Sequence, residues 1–472
     1  MLYAALIWAG LAVLSPPSAA IDRIVVNVER VESEAGVLGD TTLDIRIDSR
    51  TAMPRGTLRM GSTPIGPLAM SLALQEEGAR GLRLKGEQLR LAGGTFTLSA
   101  TLGGRHWAFG LDAADVAGDA LLRLGRDWVN VPKDFSVQGS LDASLQLAGR
   151  TDARLPRVVT LGFRAKNLAF SNAEGSIAAE NVDLDSEFEL QATAGGGFGF
   201  TGRLASTRGE ALFDNFYLKL ASYPTRIDFA GFVEGNRLEI SSLDLQQQGL
   251  LQASASAQVS QPKNFLDAPV DLDGLKIDSA KLVLQELRFP AVYTSYLQTA
   301  LAGGALDSLE SSGSIAGTLE IRDNRPISGN LQLDDLYLRD TKGLFFIEDL
   351  RGRVSWVPDD EEPLEPSVIS WDSAGTYDVR GASSSMRLVL RGRSGSLLEP
   401  VRLPVFDGAI NVQELRIRDA GLPSMQVQFT GEIEPISLAE ISKAFGWPAL
   451  GGFVMESVGM MMRSRFTQRD IL

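Results

Sequence analysis

The stretch FTLSATL, residues 96–102, alternates apolar side chains with small polar ones at almost every position. After a Gly-Gly-Arg turn, Trp107, Phe109 and Leu111 continue the same alternation. In a β-strand, successive side chains point to opposite faces, so a period of two is typical of a half-buried strand. The two runs therefore predict a hairpin with one apolar and one polar face.

The same alternation recurs along almost the whole chain after residue 21, and Gly, Asn and Asp interrupt it roughly every 8 to 15 residues. Helical periodicity is confined to short stretches at 291–302 and 438–445, with a third candidate at 114–128. We therefore predict a mainly β protein, built as a long and mostly antiparallel sheet with a few short helices.

One internal repeat stands out. Residues 329–340 (GNLQLDDLYLRD) match residues 408–419 (GAINVQELRIRD), at an offset of 79 positions. In both copies the apolar phase slips by one residue at the same place, at 334–335 and at 413–414. A one-residue slip moves side chains to the other face, so each copy is predicted to contain a bulge or corner there.

Composition excludes several classes of function. The 472 residues include 45 Lys and Arg against 59 Asp and Glu, a net charge of −14, and there is no Cys. Disulfides, thiolate metal sites and thiol catalysis are excluded. Nucleic acid is not expected as a partner, because binding to phosphate depends on clustered basic side chains.

A search for catalytic residues yields weak candidates. His106 is the single histidine and lies in a turn. The string GFGFTG at 197–202 has glycine spacing found at dinucleotide sites, but a strand-like run follows it where a helix is required. The acidic residues 359–362 lie between two prolines and indicate a solvated loop, and 271–273 lacks the distal ligands of a calcium loop. We therefore predict a protein that is not an enzyme and that uses no cofactor and no metal.

The N-terminus carries the longest apolar run, at residues 4–14, followed by two prolines and small residues up to Ala20. This pattern indicates either a secretory signal cleaved after Ala20 or an uncleaved membrane anchor, and the lack of a basic n-region leaves both open. Either alternative predicts an exported protein.

The C-terminal half resembles a known group of bacterial proteins, the AsmA/TamB-like proteins with a repeating β-groove. Within that group it is most similar to the YdbH-like phospholipid transport proteins, some of which bear the older label "dicarboxylate transport" domain. The resemblance is specific over about residues 319–448, and the rest of the chain shares only the general β-rich pattern of the group. It rests on the two repeat copies, residues 345–352 (FFIEDLRG), Trp356, Trp371, residues 400–406 (PVRLPVF) and residues 435–448.

The resemblance implies a long, curved sheet folded into a U-shaped groove with an apolar interior. Phospholipids would move along this groove through the periplasm of a Gram-negative bacterium, with the inner membrane at the N-terminus. It also implies a small outer-membrane lipoprotein of the YnbE type that joins the sheet by strand addition. Members of the group usually continue beyond the Gly-Trp-Pro turn at 446–448, so the tail of this chain is expected to be atypical and truncated.

The leading hypothesis is thus non-enzymatic phospholipid transfer between the inner and outer membranes, in support of outer-membrane lipid homeostasis. The alternative is an exported structural or adhesive β-solenoid without lipid cargo, whose apolar faces are its own core. The predicted groove-facing residues are Phe96, Leu98, Leu331, Leu333, Ile410 and Val412. The predicted segments are 1–20 (signal or anchor), 21–260 (N-terminal groove), 261–318 (β segment with a helix insert), 319–448 (YdbH-like repeats) and 449–472 (tail).

Overall fold

The structure is a computed structural model. It describes residues 23–33, 36–47, 54–62, 68–77, 81–125, 134–153, 155–214, 216–265, 274–299, 301–303, 306–359, 365–377, 379–420, 422 and 424–462. The N-terminal segment 1–20, residues 271–273, the acidic residues 360–362 and the tail residues 463–472 lie outside the described residues, so the predictions made for them are not addressed by the structure.

The described residues form a sheet of 28 strands. Their bounds are β1 Arg23–Ser33, β2 Gly36–Ile47, β3 Pro54–Ser62, β4 Leu68–Glu77, β5 Gly81–Leu91, β6 Gly94–Gly103, β7 His106–Ala117, β8 Ser136–Arg150, β9 Val158–Ser171, β10 Ile177–Ala192, β11 Phe198–Phe213, β12 Phe216–Lys219, β13 Thr225–Glu234, β14 Arg237–Gln247, β15 Leu251–Ser260, β16 Lys276–Phe289, β17 Leu309–Arg322, β18 Arg325–Asp340, β19 Phe346–Val357, β20 Ser367–Trp371, β21 Ser373–Thr376, β22 Val379–Gly381, β23 Ser384–Arg391, β24 Ser394–Leu397, β25 Val401–Val405, β26 Gly408–Arg418, β27 Gln426–Ser437 and β28 Phe453–Met462.

Strands that follow one another in sequence pair mostly as antiparallel neighbours, as the mainly β prediction requires. The hairpin predicted from residues 96–111 is β6 and β7, in which Leu98 lies opposite Leu111 and Gly103 lies opposite His106. A parallel pair occurs where Trp356 of β19 lies opposite Leu390 of β23. The chain divides into two compact units, unit 1 at Met1–Ala211 and unit 2 at Leu212–Leu472.

The bulges predicted from the repeat are present. In β18 the register shifts between Leu333 and Leu336, and in β26 it shifts between Val412 and Glu414. Asp335 takes a left-handed backbone, with φ of 46°, a conformation that Asp and Asn tolerate better than most residues. The bulge absorbs the slip in the apolar phase, so the leucines on both sides of it remain on one face.

Bulges also mark where apolar side chains become buried. A bulge bends its strand, so side chains beside it are brought together. Many of the buried apolar residues directly border a register shift. They include Leu89, Val116, Ala165, Ala179, Val182, Leu333, Leu336, Val412 and Ile436.

Among the described residues, three short helical segments interrupt the strands. The segment Tyr293–Leu297 follows β16 as a π-helical turn, within the stretch predicted as helical. The helix Leu438–Ala444 lies within the stretch predicted as helical and begins after Ser437, whose hydroxyl oxygen accepts a hydrogen bond from the Glu440 amide at 3.3 Å. The third candidate was partly wrong, because residues 114–117 complete β7 and the helix spans Gly118–Gly125.

The C-terminal tail contains a strand that its sequence pattern does not predict. Residues 453–462 lack alternation, yet they form β28 along β27, where Val454 lies opposite Ile436. Backbone hydrogen bonding to a neighbour does not require an alternating pattern, so periodicity gave no signal for this strand. Within the described part of the chain, no helix combines the length and apolar character needed to cross a bilayer.

Candidate functional site: the apolar faces of the sheet

In unit 1, the strand registers define a line of apolar side chains across ten strands. Residues directly opposite each other in paired strands lie on the same face, so the face can be followed from pair to pair. Every position on this line is apolar or glycine, and we call it apolar row 1. It consists of Ile24, Ile45, Gly56, Leu72, Gly86, Leu98, Leu111, Leu145, Leu161 and Phe188.

Unit 2 contains an equivalent line across eleven strands, which we call apolar row 2. It continues through the parallel β19–β23 pair, and all of its positions are again apolar or glycine. It consists of Phe229, Leu243, Ala255, Leu282, Leu319, Gly329, Trp356, Leu390, Gly395, Ile417 and Val427.

Both rows remain partly exposed. In row 1 only Leu72 and Gly86 are buried, and every residue of row 2 is half-buried or exposed. Leu282, in the fourth strand of row 2, is 43% exposed. Side chains between two packed sheets are normally buried by the opposing layer. These faces therefore present apolar surface that no second layer of the described residues fully covers.

The opposite face carries the charges. In unit 1, Arg164 lies opposite Asp185 and donates a hydrogen bond to its carboxylate at 2.8 Å. In unit 2, Lys281 lies opposite Glu320, with nitrogen and oxygen 3.1 Å apart. The side chains of these pairs are exposed, so each contributes little to stability. Their effect is to keep one face solvated while the other remains apolar.

Further along the polar face of unit 2, Arg402 donates hydrogen bonds to both carboxylate oxygens of Glu434, the shortest at 2.6 Å. Asn411 donates a further hydrogen bond to the same carboxylate at 2.8 Å. These bonds, with that of Arg402 contributing most, lower the pKa of Glu434 below its ordinary value. The carboxylate therefore stays ionised on this face, as a solvated surface requires.

Each unit has a tryptophan on its apolar face. The ring of Trp107 lies over Gly149, and its indole nitrogen donates to the Arg150 carbonyl at 3.1 Å. Trp356 lies beside Gly329 in the same way, and its indole nitrogen donates to the Gly392 carbonyl at 2.7 Å. The single polar atom of each ring is thus bonded to the backbone, and the rest of the ring adds apolar surface.

The predicted site residues separate into two groups. Leu98 belongs to row 1, and Phe96 lies on the same face two positions away. Leu331 and Ile410 lie on the apolar face of unit 2, and Leu331 is 42% exposed. These four residues are accessible to a ligand.

The other two predicted residues, Leu333 and Val412, share the apolar face of unit 2 but are buried beside bulges. Their alternation is the same as that of their neighbours, so the pattern did not distinguish them. Sequence reasoning also missed Leu161, Leu282 and Trp356 as accessible residues of the rows, because only the register shows which strands align them.

The π-helical turn covers one end of the apolar face in unit 2. The Tyr296 hydroxyl donates a hydrogen bond to the side-chain oxygen of Gln247, and the Gln247 amide donates to the Thr225 hydroxyl at 3.1 Å. Gln247 and Thr225 lie opposite each other at the end of that face. Burial of Tyr296 raises the pKa of its hydroxyl, so it stays neutral and keeps its proton in this bond.

Shallow depressions lie on the polar face. One of about 320 Å³ in unit 1 is lined by small side chains that include Ser99, Gly110 and Thr160. Another of about 420 Å³ in unit 2 is lined by polar residues such as Asn330, Gln332 and Ser355 together with Leu331, Trp356 and Val357. Both depressions are open to solvent, so neither encloses a ligand.

The residues considered as catalytic or cofactor-binding candidates lie in separate parts of the fold. His106 is exposed at the start of β7, and the glycine-rich string at 197–202 lies in the turn and first residues of β11. Among the described residues, no group of three or more acidic or histidine side chains is arranged to hold a metal ion. The partly exposed apolar faces described above are the candidate binding surface.

Comparison of the chain with protein-family models, with curated proteins and with solved structures finds no match. The resemblance stated above therefore rests on the residues that carry it.

Proposed function

We propose that this protein binds phospholipid acyl chains on its apolar rows and transfers phospholipid between the two membranes of a Gram-negative envelope, without catalysis. The observation that carries the proposal is that both rows are continuous in apolar character and only partly covered. Charged side chains on the opposite face keep the sheet soluble, which allows the apolar face to remain open to a ligand.

The size of the rows suits an acyl chain. Ten strands spaced about 4.8 Å apart give a row of about 40 Å. An acyl chain in a bilayer spans half of a hydrocarbon core that is about 30 Å thick. Each methylene group removed from water contributes about 0.8 kcal/mol. A row of this length can therefore keep a whole chain out of water while the chain moves from strand to strand.

The test compares Leu331→Asp with Val368→Asp. Both native side chains are 42% exposed, but Val368 lies on the polar face opposite Arg353. The full chain is purified from a Gram-negative host, and its bound phospholipid is extracted and quantified. We expect Leu331→Asp to lower the bound phospholipid at least about twofold, since a carboxylate disfavours apolar contact. Val368→Asp should leave it unchanged.

Thermal unfolding of both variants establishes that each is folded. Equal phospholipid content in the wild type and in folded Leu331→Asp would contradict the proposal. A folded wild-type protein free of lipid would instead favour the adhesive alternative, in which the apolar faces are covered by protein.

A further inference from the structure

We infer that residues 445–454 form a membrane-docking patch, separate from the two apolar rows. Five large apolar side chains in this short segment are exposed, and Phe453 and Trp447 are the most accessible at 70% and 56%. The others are Phe445, Leu450 and Val454. Single exposed apolar residues are common on protein surfaces, but a contiguous group of this kind marks an interaction site.

The patch is held in a defined conformation. Ser442, which is buried, accepts a hydrogen bond from the Trp447 amide on its carbonyl at 2.7 Å. Its hydroxyl donates to the Leu438 carbonyl at 2.7 Å and accepts from the Leu450 amide at 3.4 Å. The segment therefore folds back across the helix Leu438–Ala444, and its side chains are presented together without a large loss of conformational entropy on binding.

The rings of the patch are arranged as a pair. Phe445 and Trp447 stack with ring centroids 5.2 Å apart and planes inclined by 27°. Phe453 is anchored by the pairing of β28 with Ser437 of β27, at the start of the helix. Tryptophan is enriched at the boundary between headgroups and acyl chains, where its apolar ring and its polar N–H group are both accommodated, and phenylalanine buries its ring on the acyl side.

Charge argues for a bilayer as the occupant. The twelve residues 444–455 contain no charged side chain, although 22% of the chain is charged and its net charge is −14. An acidic protein is repelled by an anionic leaflet, so close contact requires a surface free of carboxylates. At the border of the patch, the Lys443 ammonium lies 3.6 Å from the Glu440 carboxylate and offsets its charge, and its highly exposed side chain can reach the headgroups as the rings enter the boundary region.

The experiment measures the fluorescence of Trp447 in the full chain with vesicles of phosphatidylcholine brominated on its acyl chains. The Trp447 signal is the difference between each protein and its Trp447→Phe counterpart, which removes the signals of the other tryptophans. We expect strong quenching of Trp447, and at least about a threefold loss of quenching when Phe445→Ser and Phe453→Ser are combined.

The control combines Tyr377→Ser with Leu398→Ser, two exposed apolar residues outside the patch, and should leave the quenching intact. Fluorescence is then measured again after gel filtration has separated the protein from the vesicles, which distinguishes docking from lipid binding on the rows. Docking predicts that Trp447 recovers its fluorescence, whereas brominated lipid carried on row 2 would still quench Trp356. Absence of Trp447 quenching overturns the inference, as does a dimer in solution that Phe445→Ser/Phe453→Ser dissociates, because the patch would then join two copies.

Discussion

At the scale of single residues, polar side chains fix the backbone of the bulges that shape the apolar face. Asp142 of β8 accepts a hydrogen bond from the amide of Asp115, whose φ is 55°, at 2.9 Å, and a second from Lys166 at 2.9 Å. Asp183 of β10 accepts in the same way from the amide of Asn167, whose φ is 49°, at 2.8 Å. In each case a carboxylate on the neighbouring strand satisfies the amide that the bulge removes from the sheet ladder.

The contribution of Asp142 depends on pH. The bond from the Asp115 amide, followed by that from Lys166, lowers the pKa of Asp142 below its ordinary value. A carboxyl group whose pKa is lower in the folded state stabilises the fold above its unfolded pKa, and this stabilisation is lost as pH falls through the folded value. We expect Asp142→Ala to reduce the free energy of unfolding by about 1 kcal/mol near neutral pH. Denaturant unfolding at neutral pH and at about pH 3 measures the difference from wild type, which should shrink in acid.

Asp185→Ala is the matched control, because Asp185 lies on the same face and makes an exposed ion pair with Arg164. Such a pair contributes little, so the change should be close to zero. An equal effect of the two substitutions would show that the bulge amide gains nothing from Asp142.

At the scale of elements, a bulge determines which side chains remain on the apolar face. Asp335 is the extra residue that lets Leu331, Leu333 and Leu336 share that face. Across the sheet, Gly313 of β17 has φ of 98°, and a Cβ atom there would collide with the Asp335 carbonyl oxygen. The backbone of β17 is therefore matched to the bulge of β18.

Deletion of Asp335 should move the side chains of one half of β18 to the opposite face of the sheet. Leu336, which is 3% exposed, would then leave its buried position or force its neighbours to do so. We expect the free energy of unfolding to fall by at least about 3 kcal/mol, as for the loss of a large buried side chain. Asp335→Gly keeps the residue count and tolerates a positive φ, so it should change stability by less than about 1 kcal/mol. Denaturant unfolding of both variants tests this, and equal stability would mean that the register adjusts without cost.

The bulges and most strands were predictable because both depend on local patterns. Alternation predicted the β6–β7 hairpin, and the phase slip at 334–335 predicted the bulge. Accessibility was not predictable, because Leu331 and Leu333 have the same alternation, but only Leu333 lies beside the bend. Val368 shows a second limit, since an apolar side chain on a short strand gives no sign that it faces the polar side. The facing of such a residue depends on its strand partners, which a single sequence does not identify.

At the scale of the molecule, the sheet separates two kinds of surface. Each unit has an apolar row on one face and exposed ion pairs on the other, and register alone keeps them apart. Charged side chains thus face solvent on one face of each unit while apolar residues remain accessible on the other. This separation also means that a charged side chain introduced on an apolar row should reduce lipid contact more than the same substitution on the polar face.

Lipid transfer tests this consequence most directly. Leu282 is 43% exposed within row 2, and Phe232, 37% exposed, lies opposite Glu239 on the polar face. If acyl chains pass along row 2, Leu282→Asp places a charge in their path, and we expect transfer of a fluorescent phospholipid between donor and acceptor vesicles to fall about tenfold. Lipid bound elsewhere on the protein is not displaced by one charge, so the bound content should fall much less than the rate. Phe232→Asp should preserve both quantities. A proportional loss of content and rate in Leu282→Asp would indicate isolated lipid sites, because only movement along a row makes one position limiting for the rate.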